Sequence, residues 1–125
     1  MTNPLALIIE DDYDLSIIFA EALQAAGFET QIVRAGDTAL MWLSSTTPKV
    51  VVLDLHLPRV AGTSILQQIR NDPHLTETRV IVATADARLA ETLREDADLV
   101  LLKPISFTQL RDLASRLTSM KSLGA

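Results

Sequence analysis

The amino-acid sequence predicts an α/β fold, a (βα)5 doubly wound parallel five-stranded sheet with strand order 2-1-3-4-5. Two observations carry this expectation. Five short apolar runs, Leu5–Ile9, Thr30–Val33, Val50–Leu53, Val80–Ala83 and Leu99–Leu102, alternate with stretches whose apolar residues recur at helical spacing. Four of the runs are almost wholly apolar, as suits strands of a parallel sheet buried on both faces. Such alternation implies right-handed crossovers and helices on both sides of the sheet. In this strand order the first and third strands are neighbours, and ligands bind just beyond the carboxyl ends of the strands near that switch point.

Each helix has its own signature. After the first run, Leu15, Ile18, Phe19, Ala22, Leu23 and Ala26 form one amphipathic stripe, which Gly27 can end. Ala39, Leu40 and Leu43 mark the second helix, with Met41 and Trp42 read as packing residues. Ile65, Leu66 and Ile69 mark the third, and Leu89 and Leu93 the fourth. The fifth, expected over about 106–121, starts on a capping-box pattern of Ser106 and Gln109 flanked by the Ile105 and Leu110 staple positions. Pro48, Pro58, Pro73 and Pro104 fall between elements, where a missing N–H does least harm.

A chain of 125 residues suits one domain over 1–125, ending in a short tail. With 48% hydrophobic and 22% charged residues it can bury a core without staples. The absence of cysteine excludes disulfides, thiolate metal sites and a Cys nucleophile. A formal charge of −5 disfavours direct nucleic-acid binding. Because Leu5 to Ile9 is too short for a signal or membrane segment, we expect a soluble, cytoplasmic protein without membrane partners.

The chemistry stands at the strand ends. Glu10-Asp11-Asp12 follows the first strand, Asp54 the third, Thr84-Ala85 the fourth and Lys103-Pro104 the fifth. Glu10, Asp11 and Asp54 should converge, and carboxylates that close repel unless a cation joins them. Oxygen donors without sulfur favour Mg2+ over zinc. An added phosphoryl group would need the metal, the Lys103 ammonium and the Thr84 hydroxyl around its oxygens, with Ala85 leaving it room.

These motifs resemble those of response-regulator receiver domains, the CheY-like family, over essentially the whole chain: the acidic pair, Asp54 within Val51-Val52-Leu53-Asp54-Leu55-His56-Leu57-Pro58, Thr84-Ala85 and Lys103-Pro104. The resemblance implies that Asp54 is the phosphoacceptor of a two-component phosphorelay. Its donor would be a sensor histidine kinase, a phosphotransfer protein or a small phosphodonor, and its product would switch binding to a downstream protein or output domain. Mg2+ would be held by Asp11, Asp54 and the backbone carbonyl of His56, with Glu10 assisting through water, Thr84 as switch hydroxyl and Lys103 as phosphoryl-binding cation. The chain would catalyse only its own phosphorylation and dephosphorylation. His56 and Asp86, two places after the acceptor and after the switch hydroxyl, would tune phosphoryl lifetime; Asp86 also reads as a helix N-cap. The oligomeric expectation is a monomer or a phosphorylation-dependent dimer.

Three positions depart from the family pattern. Val100 stands three before the lysine, where many members carry an aromatic that couples to the switch hydroxyl. Ala61 precedes Gly62 where Asp or Asn is common, and Arg94-Glu95-Asp96-Ala97 reaches the fifth strand without a glycine. Leu99 and Val100, if exposed beside the fourth helix, would offer an apolar partner surface. His74, in a turn-like stretch, receives no role.

Rival functions fit less well. A haloacid-dehalogenase-like phosphohydrolase needs a second Asp where His56 stands, and an FMN-binding flavodoxin needs a phosphate-cradling loop where Glu10-Asp11-Asp12 would repel phosphate. A phosphorylation-independent pseudo-receiver, a protein-interaction module, is the alternative that Val100 keeps in view.

Overall fold

The computed structural model describes residues 3–124, with side chains described through Leu117. Met1 and Thr2, part of the N-terminal stretch read for a signal segment, and Ala125 lie outside the described residues. Five strands, β1 (Leu5–Ile9), β2 (Glu29–Val33), β3 (Val50–Asp54), β4 (Arg79–Thr84) and β5 (Leu99–Leu102), form one parallel sheet in the order β2-β1-β3-β4-β5. Between and after them run α1 (Tyr13–Ala25), α2 (Gly36–Ser45), α3 (Gly62–Asn71), α4 (Ala87–Thr92) and α5 (Phe107–Gly124). The expected fold class and strand order are what the chain adopts.

Strand side chains alternate between two apolar layers, as the two-residue period of a strand requires. Leu7, Ile9, Val51, Leu53, Val80 and Val82 meet Ala39, Leu43, Ile65, Leu66 and Ile69 of α2 and α3 on one side. Ala6, Ile8, Val50, Val52, Ile81 and Ala83 meet Phe19, Leu23, Leu110 and Ala114 of α1 and α5 on the other. The three central strands are buried on both faces, which explains their nearly unbroken apolar sequences.

Local chemistry sets the helix ends. Asp12 caps α1 by accepting from the Leu15 N–H at 3.0 Å, and Gly27 takes a φ of +100° just past its end. Ser106 Oγ accepts from the Gln109 N–H at 3.0 Å, and Ile105 and Leu110 are buried in one cluster, so the cap and staple positions of α5 do as their spacing predicted.

Four sequence expectations change. The fifth apolar run is an edge strand, so Leu99, Leu101 and Val100 are only partly buried, the first two toward α1 and α5 and Val100 toward the opposite layer. Leu102 is the exposed member at 48%, and the apolar surface once placed at Leu99 and Val100 shifts to it. Met41 is not a packing residue: it is 70% exposed on α2, while its neighbour Trp42 packs against the core. The fourth helix is only six residues long, and Leu93 is its C-cap, still buried in the layer with α2 and α3. The glycine-free turn after it is held by Arg70, whose Nε donates to Asp96 O at 2.6 Å while Nη2 meets Asp98 Oδ2 at 2.9 Å. His74, which received no role from the sequence, has a structural one, with Nδ1 2.6 Å from Asp72 Oδ1 and Nε2 3.0 Å from Leu43 O at the end of α2.

Candidate functional site

The strand register assembles the site. Ile9 pairs with Leu53 across β1 and β3, so Glu10 and Asp54, each one residue further, emerge side by side. Asp54 pairs with Ala83 of β4, and Thr84 pairs with Leu102 of β5, which carries Lys103 next in sequence. The Lys103 N–H donates to Thr84 O at 2.8 Å, extending that register by one step. The Lys103-Pro104 peptide is cis.

Glu10, Asp11 and Asp54 each present a carboxylate oxygen, and these oxygens lie within 4.8 Å of one another. Glu10 and Asp54 are buried, at 1% and 4% exposure, whereas Asp11 opens to solvent. Lys103 Nζ reaches Glu10 Oε1 at 2.8 Å and Asp54 Oδ1 at 3.5 Å. The ammonium therefore sits on Glu10 first and bridges toward Asp54. Burial pushes the Glu10 carboxyl above its ordinary pKa and the Asp54 charge adds to this, together outweighing the Lys103 hydrogen bond. For Lys103, burial alone would favour the neutral amine, but the Glu10 hydrogen bond and the Glu10 and Asp54 charges prevail and raise its pKa. One ammonium among three carboxylates leaves the cluster short of positive charge. Hard oxygen donors at this spacing, without sulfur, suit a small divalent cation.

Thr84 is fully buried, and its Oγ1 accepts from the Asp86 N–H at 3.1 Å, leaving the O–H to donate elsewhere. Asp86 caps α4 by accepting from the Leu89 N–H at 3.0 Å, which is the structural half of its sequence reading. His56 is exposed in the loop that follows β3. Asp12, third in the acidic run, is the N-cap of α1, and its own N–H donates to Glu10 Oε2 at 3.2 Å. Its placement three before Leu15 is the spacing that could have marked it as a cap from the sequence.

Other supporting residues left no local signal. An added Cβ on Gly62, the first residue of α3, would lie 2.5 Å from both Asp54 O and Leu55 Cα, so α3 begins directly against the backbone of the acidic strand end. Arg34, just past β2, stacks over the Tyr13 ring at 4.6 Å and donates from Nη2 to Ser16 Oγ at 2.7 Å, bracing the start of α1.

Among the described residues no helix is long and apolar enough to cross a membrane. The sequence profile of the response regulator receiver domain matches residues 6–115. The chain is 31% identical over 110 residues to the phosphate regulon transcriptional regulatory protein PhoB of Rhizobium meliloti, covering 86% of this chain and 48% of that protein. It is 29% identical over 127 residues to sporulation initiation phosphotransferase F of Bacillus subtilis, covering 98% and 99% of the two. The chain spans 48%, 26% and 35% of the first three curated relatives it matches. The CheY-like response regulator receiver domain from Methylobacillus flagellatus superposes with a TM-score of 0.81 at 28% identity, over 91% of this chain and 98% of that one. A parallel sheet of this order, an acidic cluster at its switch point and a profile match over most of the chain agree, and the chain belongs to the response regulator receiver domain family.

Proposed function

We propose that Asp54 accepts a phosphoryl group in a two-component phosphorelay and that its phosphorylation switches binding to a downstream partner. The observation that carries this reading is the convergence of Glu10, Asp11 and Asp54 within 4.8 Å, bridged by Lys103. The donor is a phosphohistidine of a sensor histidine kinase or phosphotransfer protein, or a small acyl phosphate. The full-length similarity to a sporulation initiation phosphotransferase supports a phosphotransfer role. This reading puts the chain in the cytoplasm, where kinases make such donors, as a monomer or a phosphorylation-dependent dimer.

An Asp54 carboxylate oxygen attacks phosphorus in line with the bond to the leaving imidazole nitrogen; the new O–P bond forms as the P–N bond breaks, and the leaving nitrogen keeps the electron pair. Little covalent work falls to the protein, so positioning and charge stabilisation do most of it. Lys103, already 3.5 Å from Asp54 Oδ1, meets one phosphoryl oxygen, and the Thr84 hydroxyl donates to another. Asp11, Asp54 and the His56 carbonyl, with Glu10 through a water, are the groups that would hold Mg2+, which supplies positive charge to the transferring oxygens. The His56 and Asp86 side chains tune how fast water removes the phosphoryl group. Receiver domains are signalling modules, and here the only turnover is of the chain's own acyl phosphate.

The test is incubation with acetyl phosphate and Mg2+, read by intact mass on wild type and Asp54→Asn. We expect one acid-stable, base-labile phosphoryl adduct on wild type, none on Asp54→Asn, and altered decay when His56 or Asp86 is replaced. Absence of the wild-type adduct would favour the phosphorylation-independent pseudo-receiver, the alternative to which Val100 points.

A further inference from the structure

The loop between β3 and α3 is pinned from two directions. At its end, the Gly62 N–H donates to Leu55 O at 3.1 Å. At its middle it is gripped by the first turn of α2, where the Gly36 N–H donates to Pro58 O at 3.3 Å. Gly36 lies so close to Val60 that an added Cβ would stand 2.5 Å from Val60 Cβ and from its carbonyl oxygen. Between Pro58 and Val60 stands Arg59, whose φ of +70° is the only positive value at a residue other than glycine among the described residues. That conformation is unfavourable for an L side chain and persists only where surroundings enforce it. The Arg59 side chain supplies enforcement: Nε donates to Asp37 Oδ2 at 2.9 Å, and Asp37 follows Gly36 in the same turn of α2.

We propose that Arg59, anchored by Asp37, is a positioning residue that holds the His56 carbonyl and Asp54 in the geometry the divalent cation requires. This rests on the phosphoacceptor reading of Asp54. The mechanical link is short. Pro58 has a ring-fixed φ, and Leu57 before it is sterically restricted, so any relaxation of Arg59 toward negative φ is passed back to His56. Glycine at position 59 would adopt the same φ without strain but would offer no anchor. The pair is exposed, at 64% and 52% for the two side chains, so it contributes little to global stability. Its effect falls on the loop, and the site reads the position of α2 through it.

The experiment measures Mg2+ affinity by titration calorimetry and acetyl-phosphate labelling at limiting and saturating Mg2+, alongside thermal melting, in Asp37→Asn, Arg59→Gln and Arg59→Lys. The first two should weaken Mg2+ binding about two- to fivefold, the range open to an exposed ion pair, and more weakly at high salt. Their labelling should slow at limiting Mg2+ and recover at saturation, with melting temperature close to wild type. Arg59→Lys should stay near wild type, because a single bond from Nε lies within reach of an ammonium. Unchanged Mg2+ affinity in Asp37→Asn and Arg59→Gln, or equal losses in Arg59→Lys, would overturn the positioning role. If wild type neither binds Mg2+ nor becomes labelled, the phosphoacceptor reading fails and takes this inference with it.

Discussion

Replacing Lys103 by Met removes the ammonium that holds two buried carboxylates while keeping a flexible stem of similar length. Glu10 is 1% exposed and accepts from Lys103 at 2.8 Å; Asp54 is 4% exposed and stands 3.5 Å from the same nitrogen. Breaking a fully buried ion pair from one side costs about 3–5 kcal/mol. Here the Lys103 side chain is 19% exposed and Glu10 can take up a proton, so we expect about 2 kcal/mol at pH 8, roughly 8 °C in melting temperature for a domain of this size. The sign of the pH dependence follows from Glu10. Its folded pKa is already raised, by burial first, and loss of Lys103 raises it further. A carboxyl with a raised folded pKa contributes stability that is complete below its unfolded pKa, about 4.3, and lost as pH climbs through the folded value. The deficit of Lys103→Met should therefore be smaller at pH 5 than at pH 8. Mg2+ at a hundredfold excess over its Kd should stabilise either protein by about 2.7 kcal/mol at pH 8, and it should narrow the deficit in so far as it binds the carboxylates more tightly once the competing ammonium is gone. Thermal melts of wild type and variant at both pH values, with and without Mg2+, decide the matter. An equal deficit at pH 5 and pH 8, or none at either, would refute the charge argument.

Gly62→Ala places a methyl 2.5 Å from Asp54 O and Leu55 Cα, two backbone atoms that cannot swing aside. We expect a loss of roughly 2–3 kcal/mol in urea unfolding, from overpacking, and impaired acetyl-phosphate labelling as Asp54 shifts; wild-type values for both would show the contact to be slack. His74 has its pKa raised, foremost by the Asp72 hydrogen bond and also by the Thr46 and Leu43 carbonyls. Its contribution is complete below the unfolded pKa of about 6.5 and fades as pH rises through the folded value. The urea midpoint of wild type should accordingly fall between pH 6 and pH 8 more steeply than that of His74→Gln, and parallel slopes would discard the His74–Asp72 linkage.

Much of the site was legible because its residues stand at the carboxyl ends of strands. An apolar run announces a buried strand, the strand order makes β1 and β3 neighbours, and the residue that follows each apolar run is then a carboxylate at the same end of the sheet. Asp86 and Ser106 were legible as caps because capping acts over three residues. Contacts that join distant segments left no such trace. Asp98 accepts from Arg70, Arg79 and the Val80 N–H, all at least 18 residues earlier, and nothing near it in sequence marks that role. The same holds for the grip of Gly36 and Asp37 on Pro58, Arg59 and Val60, and for His74 against the end of α2.

By itself the sequence determined the alternation of strands and helices, the family resemblance and the residues at the strand ends, because periodicity and capping are local properties of the chain. Only the tertiary structure decided that Lys103 rests on Glu10 before Asp54, that β5 is a half-open edge with Leu102 outward, and that Arg59 holds a left-handed conformation against α2. Each of these depends on distances between segments far apart in sequence, and such distances exist only once the sheet has closed on its helices.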